Sequence, residues 1–307
     1  MGARRFVLID ADSLLYQSSA LQKKVYVPLG DGDGRLLDDE NKALHLAREA
    51  GVLPESVRLT FSASFCVKIL SRKIDSILDA TDATDFILYV GGDQSNSHKT
   101  LIYPAYKSNR TTEKPPMYAK LKGHMVSNYE TRVCAGWEAD DAVVYDFYYY
   151  NWEPGTAAVI AAIDKDILRF VPGTHYNYGT DTWISTSEDQ ASTNFACAVI
   201  SGDSSDNIKG LNGFGEVSYS DIGDLELDSK TAKEFLKEQK DSTNSPESLS
   251  LVDKLKISYK VYCANLKALS KKEIQRKFII NCHLLWVPLD CYRNIDSYLS
   301  FSEIFGE

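Results

Sequence analysis

Long apolar stretches, paired cysteines and internal repeats are all missing from this sequence of 307 residues. No uncharged apolar run approaches the roughly 18 residues that span a bilayer, so we expect no association with a membrane. The six cysteines are scattered without a C-x-x-C pair, which argues against a zinc ribbon and is typical of a reduced, cytoplasmic protein. The first apolar run ends at Asp10 and is too short for a signal peptide.

A surplus of positive charge is also missing, since the net charge is −9. This value argues at first sight against a polyanionic partner. However, the 43 acidic residues include nine that form one group, described below, and the remaining acidic residues equal the 34 basic residues in number. The overall charge therefore excludes no class of partner, and the type of partner has to be inferred from the local distribution of charge.

Three short apolar runs, each followed by a carboxylate, predict the strands of a parallel sheet. They are Phe6–Ile9 before Asp10, Phe86–Val90 before Asp93, and Ala157–Ile163 before Asp164. None of them alternates between apolar and polar residues, which is typical of strands that are buried on both faces. Helical patterns at residues 64–78 and 138–150 lie between the runs, so we expect an α/β fold. Ligands bind beyond the carboxyl ends of such strands, where the three acids are expected.

The rest of the chain predicts a hairpin and a helical C-terminal part. Aromatic and threonine residues indicate a hairpin from Gly173 to Ser187. The segment Gly30–Glu40 has the composition of an exposed turn but lacks the ligand pattern of a calcium loop. We expect an α/β core over residues 1–186 and a helical part over residues 187–307.

Further acidic residues stand in three groups. They are Glu138, Asp140 and Asp141 at a predicted helix start, Asp164 and Asp166 after the third run, and Asp203 and Asp206 after Gly202. Taken singly, each group has a structural explanation, because acids complement the positive end of a helix, form polar turns or cap helices. Together with Asp10 and Asp93 they make nine carboxylates, whose repulsion at one site requires cations or raised pKa values. Oxygen ligands alone favour Mg²⁺ or Mn²⁺, and a site with two such ions suits phosphodiester hydrolysis.

In order and rough spacing, these blocks resemble the phage and bacterial 5′ nucleases, which are flap endonucleases and 5′→3′ exonucleases. The matching blocks are Ile9–Asp12, Gly92–Asp93, Tyr103–Arg110, Glu138–Asp141, Asp164–Asp166 and Gly202–Gly215. The resemblance implies a PIN-like parallel-sheet core, two divalent ions and cleavage of DNA near a free 5′ end, with RNA–DNA hybrids as a second substrate. The chain looks more like a small phage exonuclease than a polymerase domain, which implies a monomer in the cytoplasm of the host cell.

All nine carboxylates fall on the metal-binding pattern of that family. One ion is expected near Asp10, Asp93, Glu138, Asp140 and Asp141, and the other near Asp164, Asp166, Asp203 and Asp206.

Between Lys99 and Lys122 the chain carries six basic residues and one acid, Glu113. Such a segment attracts phosphates, and its tyrosines Tyr103, Tyr106 and Tyr118 are candidates for stacking on bases; a solvated loop is the alternative. The resemblance implies a short arch at residues 99–130, in which Lys107 and Arg110 act on the scissile phosphate. The predicted DNA-binding residues of this segment are Lys99, Tyr106, Lys114, Lys120 and Lys122.

A glycine-rich loop follows the last acidic group. Lys209 is followed by Gly210, Gly213 and Gly215, whose backbone N–H groups suit close approach to a phosphate. This pattern alone is weak evidence for phosphate binding, because turns between helices also contain glycines at such spacings. The resemblance implies a helix–hairpin–helix element (the helix–three-turn–helix) that grips duplex DNA and holds K⁺. Many members have a lysine soon after the last glycine, where this chain has Glu216, and the eight basic residues from Lys254 to Lys277 are a second candidate for duplex binding.

Three other functions are compatible with parts of the pattern. A haloacid-dehalogenase-type phosphatase would use Asp10 as nucleophile and Asp12 as general acid, but it leaves the other acidic groups unexplained. A PIN-type ribonuclease would not need the glycine loop. A non-catalytic DNA-end-binding protein is expected to have lost ligands, and none of the nine is missing. The sequence therefore favours a metal-dependent 5′→3′ exonuclease or flap endonuclease.

Overall fold

The computed structural model of the protein describes residues 4–20, 24–29, 34–37, 39–60, 63–92, 98–110, 113–212, 249–286 and 301–306. The strands in these ranges are β1 (Arg4–Asp10), β2 (Lys24–Pro28), β3 (Gly34–Leu37), β4 (Arg58–Thr60), β5 (Asp85–Gly91), β6 (Thr131–Cys134), β7 (Thr156–Ala161), β8 (Gly173–Asn177), β9 (Thr182–Thr186), β10 (Gly202–Asp203) and β11 (Ile208–Lys209). The helices are α1 (Asp12–Ala20), α2 (Glu40–Glu49), α3 (Ala63–Thr81), α4 (His98–Ile102), α5 (Tyr118–Asn128), α6 (Ala139–Trp152), α7 (Lys165–Phe170), α8 (Glu188–Ser201), α9 (Leu251–Asn265), α10 (Lys271–Leu285) and α11 (Phe301–Phe305).

A six-stranded, mostly parallel sheet forms the centre of the fold, in the order β6-β5-β1-β7-β8-β9. The three predicted apolar runs are confirmed as β5, β1 and β7, which are neighbours in the sheet. Ile9 of β1 lies opposite Leu88 of β5 and Ala161 of β7, so the carboxyl ends of all three strands point to the same edge. The predicted α/β fold is therefore confirmed. The carboxyl ends of the three strands lie along one edge of the sheet, as we expected.

Helices cover both faces of this sheet because successive strand residues point to opposite sides. Val7 and Ile9 pack with apolar residues of α1, α3 and α5. Phe6 and Leu8 pack on the other side with residues of α6, α8, α9 and α10. Helices of the C-terminal part thus complete the core beneath the sheet. The division into two parts at residue 186 stays a prediction.

Two smaller features complete the fold. The predicted hairpin is confirmed as the antiparallel pair β8 and β9, and α8 follows it with a capping box between Ser187 and Gln190. A second sheet, of β2, β3 and β4, was not predicted. Its strand β3 occupies Gly34–Leu37, where an exposed turn was expected, whereas residues 30–33 lie outside the described part of the chain. None of the helices in the described ranges combines the length and the apolar character needed to span a membrane.

Candidate metal centre

The strand ends bring two of the predicted ligands together. Asp10 is the last residue of β1, and Asp164 follows the neighbouring strand β7. Burial, followed by the charges of Asp12 and Asp164, raises the pKa of the Asp10 carboxyl to about 7. The topology therefore places these acids within electrostatic reach of each other. Asp93, predicted as a ligand beyond β5, lies outside the described residues.

The start of α6 holds the densest group of carboxylates. Glu138, Asp140 and Asp141 each present a carboxylate oxygen within 4.8 Å of the others, and Glu138 and Asp141 are buried. Burial and the neighbouring charge of Glu138 raise the pKa of Asp140 well above its usual range. Asp141 is 1% exposed, and its Oδ2 has no hydrogen-bond partner among the described residues. A buried carboxylate oxygen without a partner is costly, so this group is suited to bind a cation.

The remaining acids come from α7 and from the short β10–β11 hairpin. Asp164 caps α7, its Oδ1 accepting the backbone N–H of Asp166 at 2.7 Å. Burial, with the charges of Asp164 and Asp203, raises the pKa of Asp166 to about 7. Asp203 differs, because hydrogen bonds from Ser205 and Lys165 outweigh its burial and lower its pKa. Within this group, Asp166 therefore resists ionisation, whereas hydrogen bonds already stabilise the ionised form of Asp203.

Three basic side chains between residues 99 and 110 pair with acids of the site. The Lys99 ammonium lies 3.1 Å from Glu138 Oε2 and 3.3 Å from Asp141 Oδ1. Lys107 pairs with Glu138 and lies 3.6 Å from Asp206. In addition, Arg110 pairs with Asp206. Burial works against the charged forms of Lys99 and Lys107, but the surrounding carboxylates raise both pKa values.

Tyr106 connects the two groups of acids that were assigned to different ions. Its hydroxyl contacts Glu138 Oε2 at 2.8 Å and Asp206 Oδ2 at 3.1 Å. A cavity of about 450 Å³ opens beside this contact; among the residues that line it are Tyr106, Arg110, Asp140, Asp164, Asp166 and Asp206. Eight of the nine predicted ligands lie in the described chain, and the arrangement brings members of both predicted ion groups to one cavity.

The predicted role of Tyr106 and Tyr118 as stacking platforms is wrong. Both residues are 4% exposed, and the Tyr118 hydroxyl donates to Asp12 Oδ1 at 2.9 Å. Lys99, predicted as a DNA-binding residue, is also buried and directs its ammonium at the carboxylates. Helix α4 and the turn after it aim Lys99 and Tyr106 inward, so neither is proposed to contact DNA directly.

The other predicted DNA-binding residues are more accessible. Lys114 is exposed, with its ammonium 4.6 Å from the centre of the Tyr118 ring, and Lys120 is exposed on α5. Lys122 donates to the backbone oxygen of Gly91 at the end of β5. Lys209 is exposed on β11.

The glycine-rich loop is only partly described. A Cβ at Gly210 would lie 2.2 Å from the backbone of Ser201, so close chain packing requires glycine there whether or not a phosphate binds. Gly213 and Gly215 lie outside the described residues, as does Glu216. The helix–three-turn–helix element and its K⁺ therefore stay predictions.

Lys165 was not recognised as a residue of the site from the sequence, and Asp12 was considered only as the general acid of a phosphatase. Lys165 contacts Asp203 Oδ2 at 3.1 Å, and its position between Asp164 and Asp166 was a usable signal. Asp12 accepts hydrogen bonds from the Gly91 N–H at 3.0 Å and from the Tyr118 hydroxyl, so it joins α1, β5 and α5 at the edge of the site. Nothing in the local sequence indicates this second role.

No protein-family model matches the sequence, and no curated protein matches it. Among solved structures, the chain is similar to a mutant of bacteriophage T5 5′-exonuclease, with 15% identity over 92% of this chain and 100% of that chain and a TM-score of 0.43. It is also similar to bacteriophage T5 flap endonuclease in a pseudo-enzyme–product complex with DNA and metal ions, with 16% identity over 91% and 99% of the two chains and a TM-score of 0.45. The likeness is to 5′ nucleases. A zinc-bound T5 5′-exonuclease matches with 14% identity over 92% and 100% of the two chains, at a TM-score of 0.45.

Proposed function

We propose that the protein is a metal-dependent 5′ nuclease that hydrolyses phosphodiester bonds of DNA near a free 5′ end. The observation that carries this proposal is the buried Oδ2 of Asp141, which has no hydrogen-bond partner among the described residues and belongs to a cluster of carboxylates whose member Asp140 lines the cavity. Buried carboxylates at such density are stable only when cations compensate them or when they stay protonated. Both features favour a site built for divalent cations.

The chemistry of the donors fits Mg²⁺ or Mn²⁺. The predicted ligands in the described chain are carboxylates alone, without a histidine or cysteine in the set, and oxygen ligands select hard ions. Glu138, Asp140, Asp141 and Asp10 would hold one ion, and Asp164, Asp166, Asp203 and Asp206 a second. Two divalent ions held by these residues would supply activation of a water molecule at neutral pH and stabilisation of the charge on the leaving oxygen.

Lys107 and Arg110 are proposed to bind the scissile phosphate. Both lie on the turn before α5 and pair with acids at the cavity, and the Arg110 side chain is 47% exposed. Cations at this position can contact the phosphate while neutralising part of the acidic field that would repel it. Tyr106 orients Glu138 and Asp206 through its hydroxyl. Lys114, Lys120 and Lys209 are exposed cations that would attract the rest of the strand.

The finer parts of the proposal rest on the sequence resemblance. These parts are the number of ions, which we propose to be two, and the action on both exonuclease and flap substrates, with RNA–DNA hybrids as a second substrate. They also include a helix–three-turn–helix element with bound K⁺, and action as a monomer in the cytoplasm. Asp93, Gly213 and Gly215 keep their proposed roles, although they lie outside the described residues.

The phosphatase alternative is disfavoured by the hydrogen bonds of Asp12. A general acid must point its carboxyl group at the leaving oxygen. Both oxygens of Asp12 instead accept hydrogen bonds from Gly91 and Tyr118, which tie it into the fold.

Cleavage of a panel of end structures tests the proposal. Duplex, 5′-flap and single-stranded DNA of one sequence, each with a 5′ label, are incubated with Mg²⁺. A 5′ nuclease releases short labelled products, and blocking the 5′ end lowers the yield. Release of labelled inorganic phosphate as the sole product would indicate a phosphatase, and intact substrates throughout would contradict the proposal.

A further inference from the structure

The ammonium group of Lys99 lies inside the carboxylate group at the start of α6. It is 3.1 Å from Glu138 Oε2 and 3.3 Å from Asp141 Oδ1, and the Lys99 side chain is 3% exposed. The two cations that follow in the chain are more accessible, since 15% of the Lys107 side chain and 47% of the Arg110 side chain are exposed. Lys99 differs from them, because its charge acts on the carboxylates and is shielded from a substrate phosphate at the surface.

The backbone fixes Lys99 in this inward direction. Its oxygen accepts the N–H of Tyr103, just after α4, at 2.9 Å, and the N–H of Tyr106 donates to the oxygen of Tyr103 at 2.9 Å. The next residue, Lys107, donates its N–H to the backbone oxygen of Asp206 at 2.8 Å. One run of turns therefore places both the buried ammonium group and the more exposed cations that follow it.

The two carboxylate oxygens of Asp141 have different surroundings. Oδ1 contacts Lys99, whereas Oδ2 is buried and has no hydrogen-bond partner among the described residues. Glu138 is engaged at both oxygens, by Lys107 at Oε1 and by Lys99 and the Tyr106 hydroxyl at Oε2. Lys99 thus neutralises one side of the group and leaves Asp141 Oδ2 as a buried oxygen that requires a cation.

The charge of Lys99 has two consequences for these carboxylates. The three acids of the group carry three negative charges when they are ionised, and Lys99 compensates one of them. A buried ammonium group is stable only beside its carboxylate partners, and they in turn depend on it. It also repels a second cation at the same carboxylates, because charges a few ångströms apart interact strongly in a protein interior. Lys99 should therefore stabilise the group before an ion binds and weaken the binding of that ion.

We propose that Lys99 is a built-in counter-cation that sets the affinity of the α6 carboxylates for a divalent ion. This inference rests on the proposed function, because it takes the group to be a metal site. Loss of a metal ligand weakens ion binding, and loss of a lysine that binds DNA leaves ion binding unchanged. Loss of Lys99 is instead expected to tighten ion binding. Lys99 acts through the carboxylates, as a positioning residue, and does not contact the substrate.

The test replaces Lys99 by methionine, which keeps an unbranched apolar side chain and removes the charge. Lys254→Met is the matched control. Lys254 of α9 is also fully buried and pairs with a carboxylate, that of Asp189 on α8, at 2.6 Å. The control therefore removes a buried lysine of the same kind that lies outside the predicted ligand set.

Binding of Mn²⁺ is measured by titration without DNA, so that no cleavage is involved. Lys99→Met should bind one Mn²⁺ ion about tenfold more tightly than the wild type, whereas Lys254→Met should match the wild type. Lys99→Arg keeps the charge and should keep the wild-type affinity. An affinity in Lys99→Met that is unchanged or weaker would overturn the inference.

Thermal unfolding in EDTA and in Mg²⁺ separates this role from a loss of packing. Both methionine variants should melt below the wild type in EDTA, because each leaves a carboxylate without its buried cation. For Lys99→Met, Mg²⁺ should reduce the difference from the wild type by about 2–4 °C, since a tighter ion adds more stability. For Lys254→Met the difference should be the same in both buffers. The same result for Lys99→Met would indicate a purely structural lysine and would refute the proposal.

The wild type gives the answer if Lys99→Met folds in neither buffer. The NMR signal of the Lys99 ammonium group, assigned by its loss in Lys99→Arg, should shift when Mg²⁺ is added, and that of Lys254 should not. A Lys99 signal that does not respond to Mg²⁺ would overturn the inference. A wild type that binds neither Mn²⁺ nor Mg²⁺ would overturn the proposed metal dependence. A wild type that binds Mn²⁺ with an affinity that Lys99→Met leaves unchanged would overturn this inference alone.

Discussion

Replacement of Lys107 by alanine removes the ammonium group that pairs with Glu138 and lies 3.6 Å from Asp206. Lys107 adopts a left-handed backbone conformation with φ of 55°, and its N–H donates to the backbone oxygen of Asp206 at 2.8 Å. Alanine carries a Cβ as lysine does, so the conformational cost is unchanged and the backbone hydrogen bond stays available. The substitution therefore removes the charge with little change in the turn that carries it.

The size of the effect separates two roles for this lysine. A preorganised donor that meets developing charge in the transition state is worth about 2.7–4 kcal/mol, which corresponds to a loss of about 100- to 1,000-fold in rate. A lysine that only attracts DNA contributes affinity and about 0.9 of salt slope. Since Lys107 lies among the predicted ligands, we expect the first outcome.

The assay is single-turnover cleavage of one 5′-flap substrate at fixed salt, with enzyme in saturating excess. Lys114→Ala is the matched control, because Lys114 belongs to the same basic segment but stands exposed over the Tyr118 ring. It should weaken binding and leave the saturated rate near that of the wild type. If Lys107→Ala cleaves at the wild-type rate once it is saturated, the proposed catalytic role is refuted.

Further substitutions test other parts of the site. Asp141→Asn should lower turnover by orders of magnitude while DNA binding in EDTA persists or tightens, since a negative charge near the phosphates is lost; wild-type turnover would contradict the ligand role. Asp12→Ala should cost about 1–3 kcal/mol in urea unfolding because the Gly91 N–H and the Tyr118 hydroxyl lose their acceptor; a phosphomonoesterase activity that disappears in this variant would favour the phosphatase. Gly210→Ala should destabilise by about 1–3 kcal/mol through its clash with Ser201, whereas Gly123→Ala, with open space around it on α5, should stabilise by about 0.5–1 kcal/mol; equal melting temperatures would contradict the packing.

The strand ends were predictable because the three runs are short, apolar and without alternation, and parallel strands share one carboxyl edge. The approach of Asp10 to Asp164 follows from that topology. The carboxylates of α6 and of the β10–β11 hairpin were predicted as ligands from their motifs, yet their contact through Tyr106 depends on tertiary packing that no local pattern encodes.

The directions of the basic side chains were not predictable. The sequence predicts Lys99 and Lys254 to be surface lysines, but each is buried and forms an ion pair with a carboxylate of another element. Helix α9 buries Ser258 and Tyr262 beside Lys254, so its buried face is not marked by apolar residues alone. A count of basic residues along the chain therefore overestimates the number of cations that can reach DNA. Which cations line a cavity, as Arg276 and Lys277 do, can be determined only from the three-dimensional structure.

The most direct test of the central claim is the metal dependence of phosphodiester hydrolysis. Single-turnover cleavage of a 5′-labelled flap is followed for the wild type and for Asp166→Asn, in EDTA and over a series of Mg²⁺ concentrations. Carboxylates that hold catalytic ions predict no cleavage in EDTA, recovery with Mg²⁺ or Mn²⁺, and a loss of orders of magnitude in Asp166→Asn at every concentration. Full cleavage by the wild type in EDTA, or by Asp166→Asn with Mg²⁺, would contradict the account.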